Sequence, residues 1–266
     1  MLGLFATACV LPSRAFADVA QQRSEFRDEL AKRFFDAGTV GTFVGYKVDD
    51  YLIIASDKNR SGEGRLPAST FKIANSLIAL ETGVVQDPDK DVFKWDGVKR
   101  PIEAWNRDHT MRTAIAASAV PVYQEIARRI GQERMQKYVD LFDYGNRNIG
   151  GGIDQFWLTG DLRIDPLQQV DFVDRLRRGV LPVSKRSQDF VRDILPVTKV
   201  GDSIIRAKSG LLGAETGKPS LGWLVGWVEK ADTPTVFALN LDCIEPRHIA
   251  DRMKLAQQCL GDINAL

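Results

Sequence analysis

Hydrophobic and polar positions along the chain change periodicity twice. In residues 21–37, Phe26, Leu30 and Phe34 recur every fourth position among charges and Gly38 follows, which predicts an amphipathic helix. Residues 42–48 and 51–56 are rich in β-branched and aromatic side chains and are separated by Asp49 and Asp50, which predicts a hairpin. Helical spacing then takes over at 71–82, 111–116, 122–130, 132–142, 166–178 and 185–194, interrupted by a loop rich in glycine and tryptophan at 144–161. Strand patterns return at 203–207, 221–229 and 235–242, and a last helix is expected at 246–260.

The expected fold is α/β in the α+β sense, an antiparallel sheet flanked by N- and C-terminal helices with an inserted all-helical region. Residues 18–66 and 199–266 form the sheet region and 67–198 the helical one, with the cleft between them as the default site.

Composition narrows the class of partner. With 266 residues, 44% hydrophobic and 27% charged, the chain is long enough to bury a large core, which argues against disorder. Lysine and arginine number 36 against 35 acidic residues, so the net charge of +1 offers no broad attraction to nucleic acid or to anionic membrane. A small-molecule partner is expected. Residues 1–17 form an apolar stretch ending in Ala15-Phe16-Ala17, which reads as a bacterial export signal, although no basic segment precedes it. The stretch is too short for a membrane-spanning helix, so a periplasmic or secreted location is expected, as monomer or homodimer. Cys243 and Cys259 lack metal-ligand spacing, so no metal is expected; a bridge and two packed thiols both remain open.

Ser69-Thr70-Phe71-Lys72 follows Pro67 and opens an apolar helical run that Gly83 closes. Residues three apart on a helix are neighbours, so Ser69 and Lys72 pair a hydroxyl with an amine, the parts of an activated nucleophile. By itself this spacing reads more readily as a helix cap beside a solvated lysine. Three more short motifs follow in order, Ser118-Ala119-Val120, Tyr144-Gly145-Asn146 and Lys208-Ser209-Gly210, each an ordinary turn or strand end on its own. No Gly-x-Ser-x-Gly elbow, phosphate loop or metal cluster competes with them, and His109 and His248 are not tied by sequence to a nucleophile.

In that order and separation the motifs resemble those of the class D serine β-lactamases, the oxacillinases of the penicillin-recognising serine enzymes. Trp105-Asn106-Arg107-Asp108 and Gly151-Gly152-Ile153-Asp154-Gln155-Phe156-Trp157-Leu158 extend the resemblance. It implies a serine β-lactamase/transpeptidase-like fold and hydrolysis of β-lactam antibiotics through a Ser69 acyl-enzyme. It also implies that Lys72 is N-carboxylated by carbon dioxide and acts as general base, held by the Trp157 indole and kept dry by Phe71, Val120 and Leu158. Valine at 120 stands where related enzymes carry a polar amide, which makes the lysine pocket more apolar.

By the same resemblance Ser118 relays a proton to the departing nitrogen, and the backbone N–H groups of Ser69 and Leu211 form an oxyanion hole. Lys208, at a strand end, supplies positive charge. Ser209 and Gly210 line the substrate, Trp105 borders it, and Arg247 meets the substrate carboxylate with Arg252 as its rival. A β-lactam sensor or penicillin-binding domain, acylated without efficient turnover, is the competing function.

Overall fold

The computed structural model describes residues 23–213, 218–229 and 233–266. Residues 1–17, read above as an export signal, lie outside the described residues. A seven-stranded sheet in the order β1-β3-β2-β7-β6-β5-β4 forms the spine. Its strands are β1 (Arg23–Phe26), β2 (Gly41–Lys47), β3 (Leu52–Ala55), β4 (Val197–Val200), β5 (Ser203–Leu212), β6 (Ser220–Glu229) and β7 (Thr235–Cys243).

Alternation along the central strands decides the layers. In β6 and β7, Trp223, Val225, Val236 and Ala238 face the large core shared with the helical region. Leu224, Val228, Phe237 and Leu239 point the other way, under α1 (Asp28–Asp36) and α9 (Arg247–Asp262). A period of two buried on both faces is what a sheet covered on both sides requires.

The inserted region runs from α3 (Lys72–Glu81) to α8 (Lys185–Ile194). Every residue of α3 from Lys72 to Leu80 is buried, so this helix is the axis on which the others pack. Asn75 Nδ2 donates to the Tyr123 carbonyl and Ser76 Oγ bonds the Tyr123 hydroxyl, which fixes α5 (Val120–Ile130) against α3. α7 (Pro166–Arg178), started by a reciprocal cap between Asp165 and Gln168, leans back onto the sheet at β2, β6 and β7.

Several expectations need correction. The helix expected at 21–37 spans only Asp28–Asp36; Arg23–Phe26 instead form β1, with Phe26 exposed, because pairing at the sheet edge satisfies the backbone where side-chain spacing suggested a helix. β1 runs parallel to β3, so the sheet is not wholly antiparallel. β4, absent from the expectation, begins at Val197, and β5 runs to Leu212 rather than 207. Lys208 therefore sits within a strand, not at its end.

Leu77 lies at the centre of α3, fully buried in the shared core. Leu77→Ala is expected to lower stability by about 2–5 kcal/mol through lost burial and the cavity left behind. Urea unfolding followed by tryptophan fluorescence checks this; a midpoint shared with the parent chain would contradict the role given to α3.

Candidate active site

Ser69 is delivered by a 3-10 turn, Ala68–Phe71, immediately before α3 starts at Lys72. Ala68 adopts φ +51°, a left-handed conformation that a residue with a Cβ holds only when its surroundings enforce it. Two contacts on the turn do so: the Ala68 N–H donates to the Trp157 carbonyl at 3.0 Å, and the Thr70 N–H to the Pro67 carbonyl at 3.2 Å. Gly210 of β5 lies against the turn, since a Cβ there would stand 3.2 Å from the Pro67 carbonyl and 3.3 Å from Thr70 Cγ2. Glycine at 210 lets the strand approach.

Lys72 is fully buried, and its Nζ lies 2.7 Å from Ser69 Oγ. Burial is the larger cause, and the nearby Lys208 the second, of an amine pKa held well below the usual lysine range. The Tyr123 ring centroid is 5.3 Å from the same Nζ. Val120, one helical turn before Tyr123, begins α5 and is half-buried.

Ser118 follows α4 (Met111–Ala116) in a tight turn at φ +52°. Its Oγ accepts from Lys208 Nζ at 3.0 Å, and the same Nζ donates to the Ser209 carbonyl at 2.8 Å. Lys208 is 1% exposed, and burial, helped by Arg252, lowers its pKa to about 7. Trp105 closes this side: its indole N–H donates to the Ala117 carbonyl at 3.0 Å, beside Ser118.

The loop from Gly145 to Leu162 carries Trp157 and Leu158. Asn146 closes it, donating from Nδ2 to the Asp161 carbonyl at 2.9 Å and accepting at Oδ1 from the Arg163 N–H at 3.0 Å. Gly145 has φ +58°, and a Cβ would stand 2.0 Å from the Arg163 carbonyl oxygen, so no other residue fits. The Trp157 ring stacks on Phe71, centroids 5.5 Å apart. Its Nε1 is buried without a partner among the described residues. Such an orphan donor costs free energy unless something accepts its hydrogen, and its ring packs on Phe71, the residue before Lys72 in the chain.

Ser69, Lys72, Ser118 and Lys208 are thus brought together, with Trp105, Trp157 and Gly210 around them, while Val120 and Leu158 are half-buried at the edge and Leu211 is exposed. Arg247 is not brought here. Its guanidinium bonds Glu245 and points across α9 to Gly38, because it starts the helix on the side facing α1. Arg252 lies one helical turn further on, packs against Gly222 and donates from Nη1 to the Gly210 carbonyl. The resemblance places the carboxylate contact at Arg247, with Arg252 as rival because the segment before 247 is short; of the two, it is Arg252 that lies against Gly210. No group of three histidine, cysteine or acidic residues able to hold a metal exists among the described residues, and Cys243 and Cys259 are free thiols.

Residues 27–263 match the family model of the penicillin binding protein transpeptidase domain. The chain is 45% identical over 212 residues to β-lactamase OXA-10 of Pseudomonas aeruginosa, covering 79% of each chain. It is 42% identical over 239 residues to β-lactamase OXA-48 of Klebsiella pneumoniae, covering 90% of this chain and 88% of the other. The crystal structure of the class D β-lactamase FUS-1 (OXA-85) from Fusobacterium nucleatum subsp. polymorphum superposes with a TM-score of 0.86 at 35% identity, over 91% of this chain and all of the other. The chain belongs to the class D β-lactamases. The family is one of hydrolases, and in this class D β-lactamase Ser69 and Lys72 form one hydrogen-bonded pair and Ser118 and Lys208 another.

Because folding buries the Lys208 amine and lowers its pKa from 10.5 to about 7, the unfolded chain binds more protons between those values and stability rises with pH across that window. Below pH 7 the cost of the buried ammonium is present in full. Lys208→Met removes it, so in bicarbonate-free buffer its stability advantage over the parent is expected to shrink by up to about 1.4 kcal/mol per pH unit from pH 7 to 9. Urea unfolding at several pH values checks this; a constant difference would mean that Lys208 keeps an ordinary pKa.

Proposed function

We propose that the chain hydrolyses β-lactam antibiotics through a Ser69 acyl-enzyme, with Lys72 N-carboxylated in the working form. The observation that carries this reading is the fully buried Lys72 amine at 2.7 Å from Ser69 Oγ. The Trp157 indole N–H, buried without an acceptor among the described residues on a ring stacked against Phe71, supports it. Burial disfavours the ammonium form of Lys72, and a neutral amine is a nucleophile for carbon dioxide: the N–C bond forms and one proton is released to solvent. The resulting carboxylate supplies a general base and an acceptor for the Trp157 N–H.

In the proposed cycle the Ser69 hydroxyl proton leaves for the base at Lys72 as Oγ bonds the lactam carbonyl carbon. The backbone N–H groups of Ser69 and Leu211 take the developing oxyanion charge. Ser118, held by Lys208, passes its proton to the ring nitrogen as the C–N bond breaks and takes back the one that the base at Lys72 received from Ser69, which frees the base. Water, deprotonated at the same base, then cleaves the ester and Ser69 regains its proton. Lys208, Ser209 and Arg252 line the strand edge, where an anionic substrate carboxylate fits; Arg247 has no part in it. The export signal read at residues 1–17 suits a periplasmic or secreted enzyme, and no helix among the described residues is long and apolar enough to cross a membrane.

Purified residues 18–266 are expected to turn over nitrocefin and benzylpenicillin repeatedly, faster with bicarbonate; a long-lived one-to-one Ser69 adduct would instead make the chain a sensor or penicillin-binding domain. Lys72→Ala is expected to lose about 10²–10⁴-fold in turnover, the span of general-base catalysis. Trp157→Ala is expected to become dependent on added bicarbonate, and full activity without it would refute the indole's role. As pH falls, protonation withdraws the neutral amine and decomposes the carboxylate, so activity should drop on the acid side and bicarbonate should restore part of it.

Arg252→Ala is expected to raise KM for benzylpenicillin by roughly 10- to 100-fold, the loss of one charge-assisted contact, whereas Arg247→Ala should leave KM within about twofold. Equal effects of the two substitutions would reject the assignment.

A further inference from the structure

Next to the nucleophile in the chain, Thr70 belongs to a buried polar cluster that the reaction described above does not use. Thr70, Tyr144 and Gln169 are all at most 1% exposed and come from three separate elements: the Ser69 turn, the start of the 145–162 loop and the first turns of α7. The Thr70 hydroxyl donates its only proton to the Pro67 carbonyl at 2.7 Å, bracing the turn on itself. Gln169 Nε2 donates to the same Thr70 oxygen at 2.8 Å, across 99 residues of sequence. The Tyr144 hydroxyl lies against both Thr70 and Gln169, and burial keeps it protonated. Neither it nor Gln169 Oε1 has another partner among the described residues.

A glutamine placed at the core face of a helix is costly to bury unless its hydrogen bonds do something that an apolar residue there would not. Here its donor lands on the residue next to the nucleophile. We infer that Gln169 is a positioning residue: through Thr70, and with Tyr144 behind it, it holds the Pro67–Phe71 turn in the left-handed form that aims Ser69 Oγ and the Ser69 N–H. The turn carries a non-glycine residue at φ +51°, so without external bracing it relaxes toward ordinary backbone angles, and both the hydroxyl and the N–H move with it. α7 is a suitable anchor because it packs mainly on the strands β2, β6 and β7 of the central sheet. The inference rests on the acylation chemistry proposed for Ser69.

The test uses Gln169→Met, which keeps length and volume but removes the donor, Thr70→Val, which removes the acceptor, and Thr70→Ser, which keeps it. Rates of Ser69 adduct formation with benzylpenicillin are followed by stopped flow and intact mass, alongside adduct breakdown and thermal midpoints. Gln169→Met and Thr70→Val are each expected to slow adduct formation about 10- to 100-fold, the scale of a small misplacement of reacting atoms, with a much smaller change in breakdown. Thr70→Ser should retain the parent rate. Because the two residues act through one hydrogen bond, the double variant Gln169→Met/Thr70→Val should be no slower than the worse single one.

Multiplying rate losses in the double variant would overturn the inference, as would a Gln169→Met chain that acylates at the parent rate with only its thermal midpoint lowered. Should Gln169→Met not fold, the comparison of Thr70→Val with Thr70→Ser decides: equal rates reject the clamp. No adduct in the unsubstituted chain would refute the acyl-enzyme reading instead, so the two failures are distinct.

Discussion

Burial of the Lys72 amine is the constraint on which the rest of the structure depends. A lysine at the start of an α-helix would ordinarily extend into water, but here α3 is enclosed on every side and Lys72 goes under with it. The desolvation cost falls on the charged form, so the fold converts a strong cation into a weakly basic amine and holds it one hydrogen bond from Ser69. The α3–α5 bonds through Asn75, Ser76 and Tyr123, and the aromatic wall of Phe71 and Trp157, all serve to keep water away from that one nitrogen.

Two serines reach the same cleft by the same device. Ser69 follows a left-handed alanine and Ser118 is itself left-handed, so each hydroxyl sits on a turn that the local sequence does not favour. Strain of this kind persists where neighbours over-determine the backbone, at a cost of about 1–3 kcal/mol each. For Ser69 those neighbours are the Trp157 carbonyl and Thr70; for Ser118 they are the end of α4, whose Ile115 carbonyl accepts the Ser118 N–H, and Lys208. The strained turns lie where three elements converge.

The sequence shows the large elements well because the apolar spacing of α5, α7 and α8 and the alternation of β6 and β7 agree with what the core demands. It misleads at Arg23–Phe26, where Phe26 continues the spacing of Leu30 and Phe34 but sheet-edge pairing outweighs it. Ser69, Lys72, Ser118 and Lys208 are visible as ordered short motifs, since each chemistry needs its residue type in a fixed local frame. Arg252 is harder to see: counting from the last strand gives its distance, but only the register of α9 decides which arginine faces Gly210 and which faces Gly38. Gln169 is invisible for a related reason, because its meaning lies in a contact with Thr70 that no local pattern records.

The charge balance of the cleft argues for the carboxylated form. Lys72 and Lys208 are both lowered first by burial; Lys208 adds to the shift of Lys72 and Arg252 to that of Lys208, and no carboxylate figures among those causes. A cluster of this kind is self-repelling, and lowering the two amine pKa values is the response open to the protein alone. The proposed carboxylation of Lys72 would replace that response with a better one. It would turn a repelled amine into an anion near Lys208, give the Trp157 N–H an acceptor, and let Lys208 keep its proton for binding an anionic substrate and holding Ser118. A pocket dry enough to disfavour the Lys72 ammonium, basic enough to reward a negative charge there, and walled by a tryptophan with an unanswered N–H donor is matched to that single added group. The same pocket is poorly matched to a permanently protonated lysine, which is why the burial of one amine and the orphaned indole belong to one explanation.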